Sequence, residues 1–449
     1  MAGIFGTDGV RGRANVDLTA ELALDLSVAA AHVLGEIGAF EGHQPVALVG
    51  RDPRASGEFL EAAVVAGLAS AGVNVVRLGV VPTPGVAYLV KSRAADIGVM
   101  ISASHNPMPD NGIKFFSRGG VKLDDALEAR IESQLRQPWQ RPTGTDVGRV
   151  SDDPAAIGEY VAHLVESVRP VGLDNLQVVL DTANGAAFDS APAAFRELGA
   201  EVTVIHDAPD GTNINEDCGS THIESLQREV VARGAHAGFA FDGDADRCLA
   251  VDAEGRMIDG DQLLAILALA LSEAGELVGE TVVGTVMTNQ GLVQAMHEAN
   301  IEVRRTAVGD RYVLEAMNAE GFTLGGEQSG HVILSRWAGT GDGTLTALQV
   351  LRRMAETGKS LADLASVMHR LPQVLVNVGG VDKSRAGTDP VLLDEVRAAS
   401  EKLADTGRVL LRPSGTENLV RVMVEAGTHE EALGIADSLA AVVRDRLAL

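Results

Sequence analysis

The chain has little cysteine, and its hydrophobic runs are short. Its 449 residues include only Cys218 and Cys248, which cannot form a disulfide framework and belong to no Cys/His pattern typical of zinc. A reducing compartment is therefore expected. The N-terminus lacks the basic and apolar regions of a signal peptide. The longest apolar run, Leu263–Leu271, is nine residues long, whereas a membrane span needs about 20. We expect a cytoplasmic protein that does not bind a membrane.

The sequence is also poor in positive charge. It has 37 Lys and Arg against 62 Asp and Glu, and a formal net charge of −25 at pH 7. Nucleic acids and anionic membranes require a basic surface, so both are disfavoured as partners. A phosphorylated ligand would have to rely on local arginines, lysines, a metal or helix N-termini. Basic exceptions to the acidic background are therefore the places where a binding site is expected.

Apolar sequence is plentiful and is organised in α/β units. The hydrophobic fraction of 46% and the length predict about three or four domains. Three segments, starting near residues 46, 178 and 282, repeat a strand, a polar loop, a helix and a second strand. Any βαβ unit shares this outline, so coincidence is the alternative. The pattern after Pro372 predicts a smaller α+β domain. The expected domains are residues 1–155, 156–255, 256–369 and 370–449.

A serine and a histidine follow a predicted buried strand. Ser102–Pro107 reads Ser-Ala-Ser-His-Asn-Pro and comes directly after the apolar residues 97–101. Because Asn-Pro favours a turn, Ser104 is expected at the carboxyl end of a sheet strand, where open α/β sheets bind ligands. A hydroxyl beside the imidazole of His105 suits covalent catalysis. The alternative is an ordinary polar turn.

Three aspartates alternate after a second apolar strand. Asp242, Asp244 and Asp246 follow residues 237–240 and are expected to project to one side of an extended segment. Their oxygens suit a hard divalent cation such as Mg²⁺. An EF-hand is excluded, since Arg247 and Ala253 occupy the positions that require Gly and Glu. A solvated turn is the alternative, although clustered carboxylates repel one another without a cation. The neighbouring Cys248 is interpreted as a small buried hydrophobe.

Two further loops combine glycine with polar side chains. Gly325–His331 follows the predicted strand Phe322–Leu324 and offers Glu327 and Ser329 to sugar hydroxyls, while His331 is a candidate proton carrier. Arg412–Asn418 offers a guanidinium, hydroxyls and backbone N–H groups, which are the donors that a phosphate monoester requires. Either loop by itself also fits a structural turn. Other polar candidates are Arg11, Lys114 and the segment Gly309–Arg311, which fits a ligand loop or a helix cap equally well.

These four motifs, in this order, resemble those of the α-D-phosphohexomutase superfamily over essentially the whole chain. Ser102–Pro107 is similar to its phosphoserine loop and Asp242–Arg247 to its metal loop. Gly326–His331 is similar to its sugar loop and Arg412–Asn418 to its phosphate loop. The resemblance implies three related α/β domains with mixed sheets and a smaller C-terminal α+β domain, in a heart-shaped arrangement around a central cleft.

Other segments resemble the branch of that superfamily that acts on glucosamine phosphates. They are Phe5–Gly12, Asn213–Asn215, Cys218–His222, Val308–Tyr312, Gln328 and Thr340–Gly343. The resemblance implies an isomerase that interconverts glucosamine 6-phosphate and glucosamine 1-phosphate through a bisphosphorylated sugar, for amino-sugar nucleotide and cell-wall precursor synthesis. Mutases of mannose or glucose phosphates, a metal-dependent phosphosugar phosphatase and a non-catalytic phosphosugar-binding protein are the alternatives. The chain is expected to be a monomer or a homodimer.

The resemblance also implies a role for each candidate residue. Phosphorylated Ser104 would carry the phosphoryl group, with Arg247 and Arg11 in contact with it. One Mg²⁺ per chain would be held by Ser104, Asp242, Asp244 and Asp246. The sugar and its non-reacting phosphate would be bound by Gly309, Glu327, Ser329, Arg412, Ser414, Gly415 and Thr416. The candidates for proton transfer, in order of preference, are Lys114, His105 and His331.

Overall fold

The computed structural model describes residues 4–6, 8–40, 42–414 and 418–449. The chain forms two compact units. The first contains Met1–Met287 and Ile301–Val367, and the second contains Thr288–Asn300 and Met368–Leu449. Among the described residues, no helix combines the length and the hydrophobicity that crossing a bilayer requires.

The first sheet of unit 1 has seven strands and follows the order β1-β5-β4-β2-β3-β7, with β6 paired to β5. Strand β2 is parallel to β3 and β4, whereas β5 is antiparallel to β4 and β1. Aliphatic side chains of α1 and α2 pack against β2 and β4 in one core. The elements are β1 (Val10–Arg13), α1 (Ala20–Glu36), β2 (Val46–Arg51), α2 (Ala55–Ser70), β3 (Asn74–Val80), α3 (Thr83–Ser92), β4 (Ile97–Ile101), β5 (Asp110–Ser117), β6 (Val121–Lys122), α4 (Asp125–Gln134) and β7 (Val150–Asp152).

The second sheet of unit 1 has five strands in the order β12-β11-β10-β8-β9. Strand β8 is parallel to β9 and β10, and β10 is antiparallel to β11. Strands β10 and β11 are buried along their whole length, as expected from their uninterrupted apolar sequence. The elements are α5 (Ile157–Val168), β8 (Gln177–Asp181), α6 (Ser190–Glu197), β9 (Glu201–Ile205), α7 (Glu224–Arg233), β10 (Ala237–Phe241), β11 (Cys248–Asp252) and β12 (Met257–Ile258).

The third sheet of unit 1 has four strands in the order β14-β13-β15-β16. Strand β13 is parallel to β14 and β15, and β15 is antiparallel to β16. One helix of this region of the sequence, α9, belongs to the second unit. The elements are α8 (Gly260–Glu273), β13 (Thr281–Thr285), α9 (Gln290–Glu298), β14 (Glu302–Thr306), α10 (Asp310–Glu320), β15 (Leu324–Gly326), β16 (Val332–Leu334), α11 (Gly343–Thr357) and α12 (Leu361–Ala365).

The second unit contains one small antiparallel sheet. Its strands are in the order β17-β19-β18 and enclose a hydrophobic core with two helices. Alternate burial along β17 indicates a sheet with one packed face. The remaining elements are β17 (Gln373–Gly379), α13 (Pro390–Leu403), β18 (Arg408–Pro413), β19 (Leu419–Glu425) and α14 (His429–Arg446). The predicted smaller α+β domain is confirmed.

The three sheets of unit 1 repeat one topology. In each, two parallel strands flank a central parallel strand, and an antiparallel strand follows: β3-β2-β4-β5, β9-β8-β10-β11 and β14-β13-β15-β16. Each connection from the last parallel strand to the antiparallel strand is one of the motif loops, which contain Ser104, Asp244 and Glu327 respectively. The predicted internal repeat is therefore confirmed, and three of the four motifs occupy the same place in it.

One predicted strand is wrong by two residues. The strand expected at Phe322–Leu324 is β15, Leu324–Gly326, so Gly325 and Gly326 lie in the sheet and not in the loop. A side chain at Gly325 would meet Met317 Sδ at 2.6 Å and Val313 Cγ1 at 2.9 Å. Gly325 thus allows close packing of α10 on the sheet. The domain boundaries expected at residues 155, 255 and 369 stay predictions.

Candidate active site

The serine loop places the Ser104 hydroxyl among polar groups in the protein interior. Ser104 is 1% exposed and lies in the connection between β4 and β5. Its Oγ donates a hydrogen bond to Asp242 Oδ2 at 2.5 Å and is 3.2 Å from Nδ1 of His105. The φ angle of Ser104 is 54°, in the left-handed region. Such a conformation costs a non-glycine residue about 1–3 kcal/mol and persists only where its surroundings impose it.

The three aspartates converge from a turn, not from an extended segment as the sequence suggested. The reversal includes Ala245, whose φ is 58°. One carboxylate oxygen of each aspartate lies within 4.8 Å of the other two, and all three residues are buried. Oδ1 of Asp244 and Oδ1 of Asp246 have no hydrogen-bond partner among the described residues. A group of buried carboxylates this close together, with two oxygens that form no hydrogen bond, fits a metal cation.

Asp242, Asp244 and Asp246 form an aspartate triad, and neighbouring protein groups balance the negative charges of its members unequally, as the pKa values show. Burial raises the pKa of Asp242 well above its ordinary value, and the charges of Asp246 and Asp244 raise it further. Burial also acts to raise the pKa of Asp244, but the charge and hydrogen bond of Lys114 outweigh it and lower that pKa. Among the described side chains, none supplies enough positive charge to balance Asp242; Arg247 lowers the pKa of Asp242 but is outweighed. A metal ion would supply the missing charge.

Lys114 on β5 is buried among acidic groups. Its Nζ is 2.8 Å from Asp8 Oδ2, 2.8 Å from Asp244 Oδ2 and 3.7 Å from Asp246 Oδ2. Burial acts to lower the pKa of Lys114, but Asp244, Asp8 and Asp246 outweigh it and raise that pKa. Lys114 is therefore protonated at neutral pH. Arg11 on β1 pairs with Asp8 as well, so two cations and the triad meet at the end of the first sheet.

Asp8, Lys122 and Asp310 extend this network. Asp310 lies in the candidate segment Gly309–Arg311, whereas Asp8 and Lys122 were not predicted as site residues. Lys122 Nζ is 2.6 Å from Asp8 Oδ1 and also contacts Asp310 Oδ2. Lys122 therefore joins β6 to the start of α10. The segment Gly-Thr-Asp-Gly around Asp8 was a signal that could have found that residue. Lys122 gives no such signal, because its partner Asp310 is 188 positions away.

The loop between β15 and β16 in the third sheet lies beside the metal loop, Asp242–Arg247. A β-bridge joins Arg247 to His331, and Arg247 donates its backbone N–H to Asp242 Oδ1 at 3.2 Å. His331 is 3% exposed, and neither ring nitrogen forms a hydrogen bond among the described residues. Its Nε2 is 3.7 Å from Asp310 Oδ2. An imidazole near a pocket whose ring nitrogens form no hydrogen bond is available to a ligand.

Glu327 and Gly309 also meet in this region. The Gly309 N–H donates to Glu327 Oε1 at 3.2 Å, and Gly309 directly precedes α10. Its φ of 135° is a conformation that favours glycine. The segment Gly309–Arg311 is thus a helix start whose first residue reaches the site. Ser329 is exposed at the tip of the same loop as Glu327.

A cavity of about 450 Å³ opens onto these groups. Its volume is in the range of pockets that bind small molecules. Burial lowers the pKa of His105 to about 4, and the charges of Arg247 and Arg11 lower it further. The imidazole at this wall is therefore neutral near pH 7. The predicted site residues that line the cavity are Arg11, Ser104, His105, Asp246, Arg247, Gly309, Glu327 and His331.

The residues predicted to bind the second phosphate lie in the second unit. Arg412 is at the end of β18 and is half-buried. Ser414 is 4% exposed, its N–H donates to Leu419 O at 2.9 Å, and its carbonyl accepts from Lys383 Nζ at 2.8 Å. Gly415 and Thr416 lie outside the described residues.

Comparison with known proteins covers nearly all of the chain. The family models for phosphoglucomutase/phosphomannomutase alpha/beta/alpha domains I, II and III match residues 2–141, 158–255 and 259–371, and the model for the C-terminal domain matches residues 350–442. A phosphoglucosamine mutase of Cutibacterium acnes is 66% identical over 450 residues, which cover all of both chains. A phosphoglucosamine mutase of a Nocardioides species is 64% identical over 449 residues, again all of both chains.

Solved structures share the fold. A phosphoglucomutase/phosphomannomutase family protein of Burkholderia thailandensis has a TM-score of 0.81 and 25% identity, with 99% of this chain and 97% of that chain covered. The N-acetylphosphoglucosamine mutase of Aspergillus fumigatus, solved with GlcNAc-6P and magnesium, has a TM-score of 0.70 and 18% identity, with 99% and 96% covered. The four-domain α/β fold expected from the sequence is thereby confirmed.

Proposed function

The chain belongs to the phosphoglucosamine mutase family, and we propose that it interconverts glucosamine 6-phosphate and glucosamine 1-phosphate with Ser104 as the phosphoryl carrier. The observation that carries the proposal is the Ser104 hydroxyl, 2.5 Å from Asp242 in a buried carboxylate cluster, two of whose oxygens have no hydrogen-bond partner among the described residues. A serine that only shapes a turn needs no such cluster. A phosphoserine brings about two negative charges and needs a cation beside it.

The reaction consists of two phosphoryl transfers in opposite directions. Phosphorylated Ser104 gives its phosphoryl group to the free sugar hydroxyl. A new P–O bond to the sugar forms, the P–Oγ bond breaks, the hydroxyl proton leaves to a nearby base, and Ser104 Oγ regains a proton. The bisphosphorylated sugar then turns around, and its other phosphate returns to Ser104. The products are an isomer and the phosphorylated serine, without net release of phosphate.

Asp242, Asp244 and Asp246 would hold one Mg²⁺ together with the oxygen at Ser104. When bound, such an ion neutralises charge on the transferring phosphoryl group. The donor set supports this choice, because it consists of oxygen ligands only and two of the carboxylate oxygens have no hydrogen-bond partner among the described residues. Arg11 and Arg247 line the same cavity as Ser104 and would contact its phosphate.

The proton carriers differ in their starting state. Lys114 retains its proton because three carboxylates surround it, so it would act as a donor and a positive charge. His105 is neutral and faces Ser104 Oγ at 3.2 Å, so it would accept a proton, as a weak base because its pKa is lowered. His331 lines the cavity, and neither of its ring nitrogens forms a hydrogen bond among the described residues, so it would be a third proton carrier.

Recognition of the sugar and of its second phosphate is assigned to the remaining loops. Glu327, with Gly309 beside it, faces the cavity, so a carboxylate is available to sugar hydroxyls or to an ammonium group. Ser329, at the tip of the same loop, would add a hydroxyl. The non-reacting phosphate is assigned to Arg412, Ser414, Gly415 and Thr416. Monomer or homodimer assembly and a cytoplasmic location stay predictions.

Intact-mass measurement tests the phosphoryl carrier. Protein incubated with glucosamine 1,6-bisphosphate is expected to gain about 80 Da, which is the mass of one phosphoryl group. Ser104→Ala should not gain this mass, and its turnover should fall by more than about 10³-fold, because the nucleophile is lost. The matched control is Ser151→Ala, at an exposed serine of β7. An equal mass gain in Ser104→Ala would contradict the proposal.

Turnover with different sugars tests the substrate. Glucosamine phosphates should be isomerised faster than glucose or mannose phosphates. Comparable rates on all three would contradict the assignment to amino sugars. Stoichiometric release of inorganic phosphate, with no isomer formed, would instead indicate a phosphatase.

A further inference from the structure

Two side chains from distant parts of the chain hold the backbone of the serine loop. Arg54 Nη2 donates to the carbonyl oxygens of Ser104 and Asn106 at 3.2 and 2.6 Å. Asn215 Nδ2 donates to the same two carbonyls at 2.9 and 3.1 Å. Arg54 directly precedes α2 beside the first sheet, and Asn215 belongs to the connection after β9 in the second. Two unrelated segments thus converge on one pair of carbonyl groups.

The amide side of the serine is held as well. The Ser104 N–H donates to Ser102 Oγ at 3.0 Å, and Ser102 Oγ donates to Asp52 Oδ2 at 2.5 Å. Asp52 in turn pairs with Arg54, and both side chains are fully buried. Both backbone polar groups of Ser104 are therefore fixed by side chains. We call Asp52, Arg54, Ser102 and Asn215 the serine-loop clamp.

The clamp acts on a backbone conformation that the serine does not favour by itself. With φ at 54°, Ser104 is in the left-handed region, where an L-residue meets steric opposition. In this conformation its Oγ lies between Asp242 and His105. Relaxation to a right-handed or extended conformation would turn the hydroxyl away from both. Each clamp hydrogen bond opposes that rotation.

The metal loop packs directly against the clamp. A side chain at Gly243 would meet the Ser104 carbonyl oxygen at 2.5 Å and Asn215 Nδ2 at 3.0 Å. Gly243 lies between Asp242 and Asp244, so the backbone that carries the triad touches both the clamped carbonyl and the clamping amide. The clamp therefore sets the position of Ser104 relative to the metal loop.

We propose that Asn215 and Ser102 are positioning residues for phosphoryl transfer, which hold Ser104 in the left-handed conformation that aims its oxygen at the metal loop. The inference rests on the proposed role of Ser104 as the phosphoryl carrier. Neither residue lines the described cavity, so we expect neither side chain to contact the sugar. Their loss should slow the transfer of the phosphoryl group and leave the binding of the sugar phosphate unchanged.

Asn215 and Ser102 are better test positions than Arg54. Removal of Arg54 would leave the fully buried carboxylate of Asp52 without its cation, which is strongly destabilising. Asn215→Ala removes two neutral hydrogen bonds, whereas Asn215→Asp places a carboxylate against two carbonyl oxygens. Ser102→Ala loosens the amide side independently, so the test does not depend on the folding of one variant. Asn74→Ala is the matched control, since Asn74 also bonds the backbone, accepting from Arg149 N at 2.8 Å, at the far edge of the first sheet.

The experiment compares steady-state kinetics with the rate of Ser104 phosphorylation. In Asn215→Ala and Ser102→Ala, kcat and the rate of the mass gain should fall about 30- to 100-fold, because a misplaced nucleophile loses that much. KM for glucosamine 1-phosphate should change by less than about twofold, since uniform binding is untouched. Asn215→Asp should lose more activity than Asn215→Ala. Asn74→Ala should match the parent.

The outcomes separate this inference from the proposed function. If the parent is phosphorylated and turns over, while folded Asn215→Ala and Ser102→Ala keep the parental kcat, the clamp is overturned and the function stands. A rise in KM with kcat unchanged would also overturn the clamp. If the parent gains no phosphoryl mass, the proposed function fails and the clamp fails with it. Circular dichroism and thermal melting identify the variants that are folded.

Discussion

Gly243 is a position at which the site leaves no room for a side chain. A Cβ at this position would lie 2.5 Å from the Ser104 carbonyl oxygen and 2.8 Å from Ile214 Cδ1. Gly243→Ala should therefore push the metal loop and the serine loop apart. We expect about 1–3 kcal/mol of destabilisation from overpacking and a loss of turnover of about 100-fold. Denaturant unfolding and steady-state assays measure the two effects.

The matched control for Gly243 is a glycine in open space. Gly158 lies in α5, and a Cβ there would meet nothing within 4 Å. Gly158→Ala should keep full activity and stabilise the helix by about 0.5–1 kcal/mol. Full activity in Gly243→Ala would contradict the prediction, because it would show that the metal loop and the serine loop can move apart without loss of turnover.

Asp342 predicts a pH dependence of stability. It caps α11 by accepting from Leu345 N at 2.9 Å, and it accepts from the Tyr160 hydroxyl at 2.8 Å. Burial raises the pKa of Asp342 to about 6 from 3.8, and the charge of Asp246 also raises it. The folded state therefore holds this proton more tightly than the unfolded state. The resulting stability is present below about pH 4 and is lost as the pH rises through about 6.

Asp342→Asn should remove that pH dependence. Asparagine is an equally good helix cap, so the cap itself is retained. A pKa shift of about two units corresponds to at most about 3 kcal/mol of folding stability. The parent should lose that stability between about pH 4 and pH 7, and the variant should not. Urea unfolding of both proteins across that range provides the measurement. Identical pH profiles would contradict the raised pKa.

At the scale of elements, the metal loop makes a prediction about ion binding. Mg²⁺ that binds the folded loop and not the unfolded chain should stabilise the folded protein and raise its melting temperature. At a Mg²⁺ concentration of 100 times the dissociation constant, the stabilisation is about 2.7 kcal/mol. Asp244→Asn should abolish this rise in melting temperature, because it removes one carboxylate ligand and one negative charge from the cluster that would bind the ion. Differential scanning fluorimetry with and without Mg²⁺ measures it. Asp189→Asn, at an exposed residue before α6, serves as the control.

The elements also show which parts of the site can be predicted from sequence. The loops at Ser104, Asp244 and Glu327 all follow apolar strands, and their polar residues are neighbours in the chain. The order of residues over a short stretch of chain is therefore enough to predict that these polar residues lie at strand ends. The contacts between the loops are different, since Ser104 and Asp242 are 138 positions apart and Asn215 is 111 positions from Ser104. Sequence pattern carries no information about which of these ends meet.

For the whole molecule, the net charge of −25 predicts a response to salt. Repulsion among like charges destabilises a compact state and is screened by ions. The screening length falls from about 30 Å at 0.01 M to about 8 Å at 0.15 M salt. The melting temperature of the metal-free protein should therefore rise by a few degrees as NaCl increases over that range. KCl is the control for a specific effect of sodium, and a fall in melting temperature would contradict the prediction.

The sequence by itself determined the repeated α/β pattern, the smaller last domain and the residue types of each loop. These depend on alternation, turns and chemistry over short stretches of chain. Only the tertiary structure decided that two carboxylate oxygens of the aspartate cluster lack hydrogen-bond partners among the described residues, that Lys114 is buried among three acidic groups, and that Ser104 has a left-handed backbone. The reason is physical: burial, charge balance and imposed strain arise when segments distant in the chain pack together.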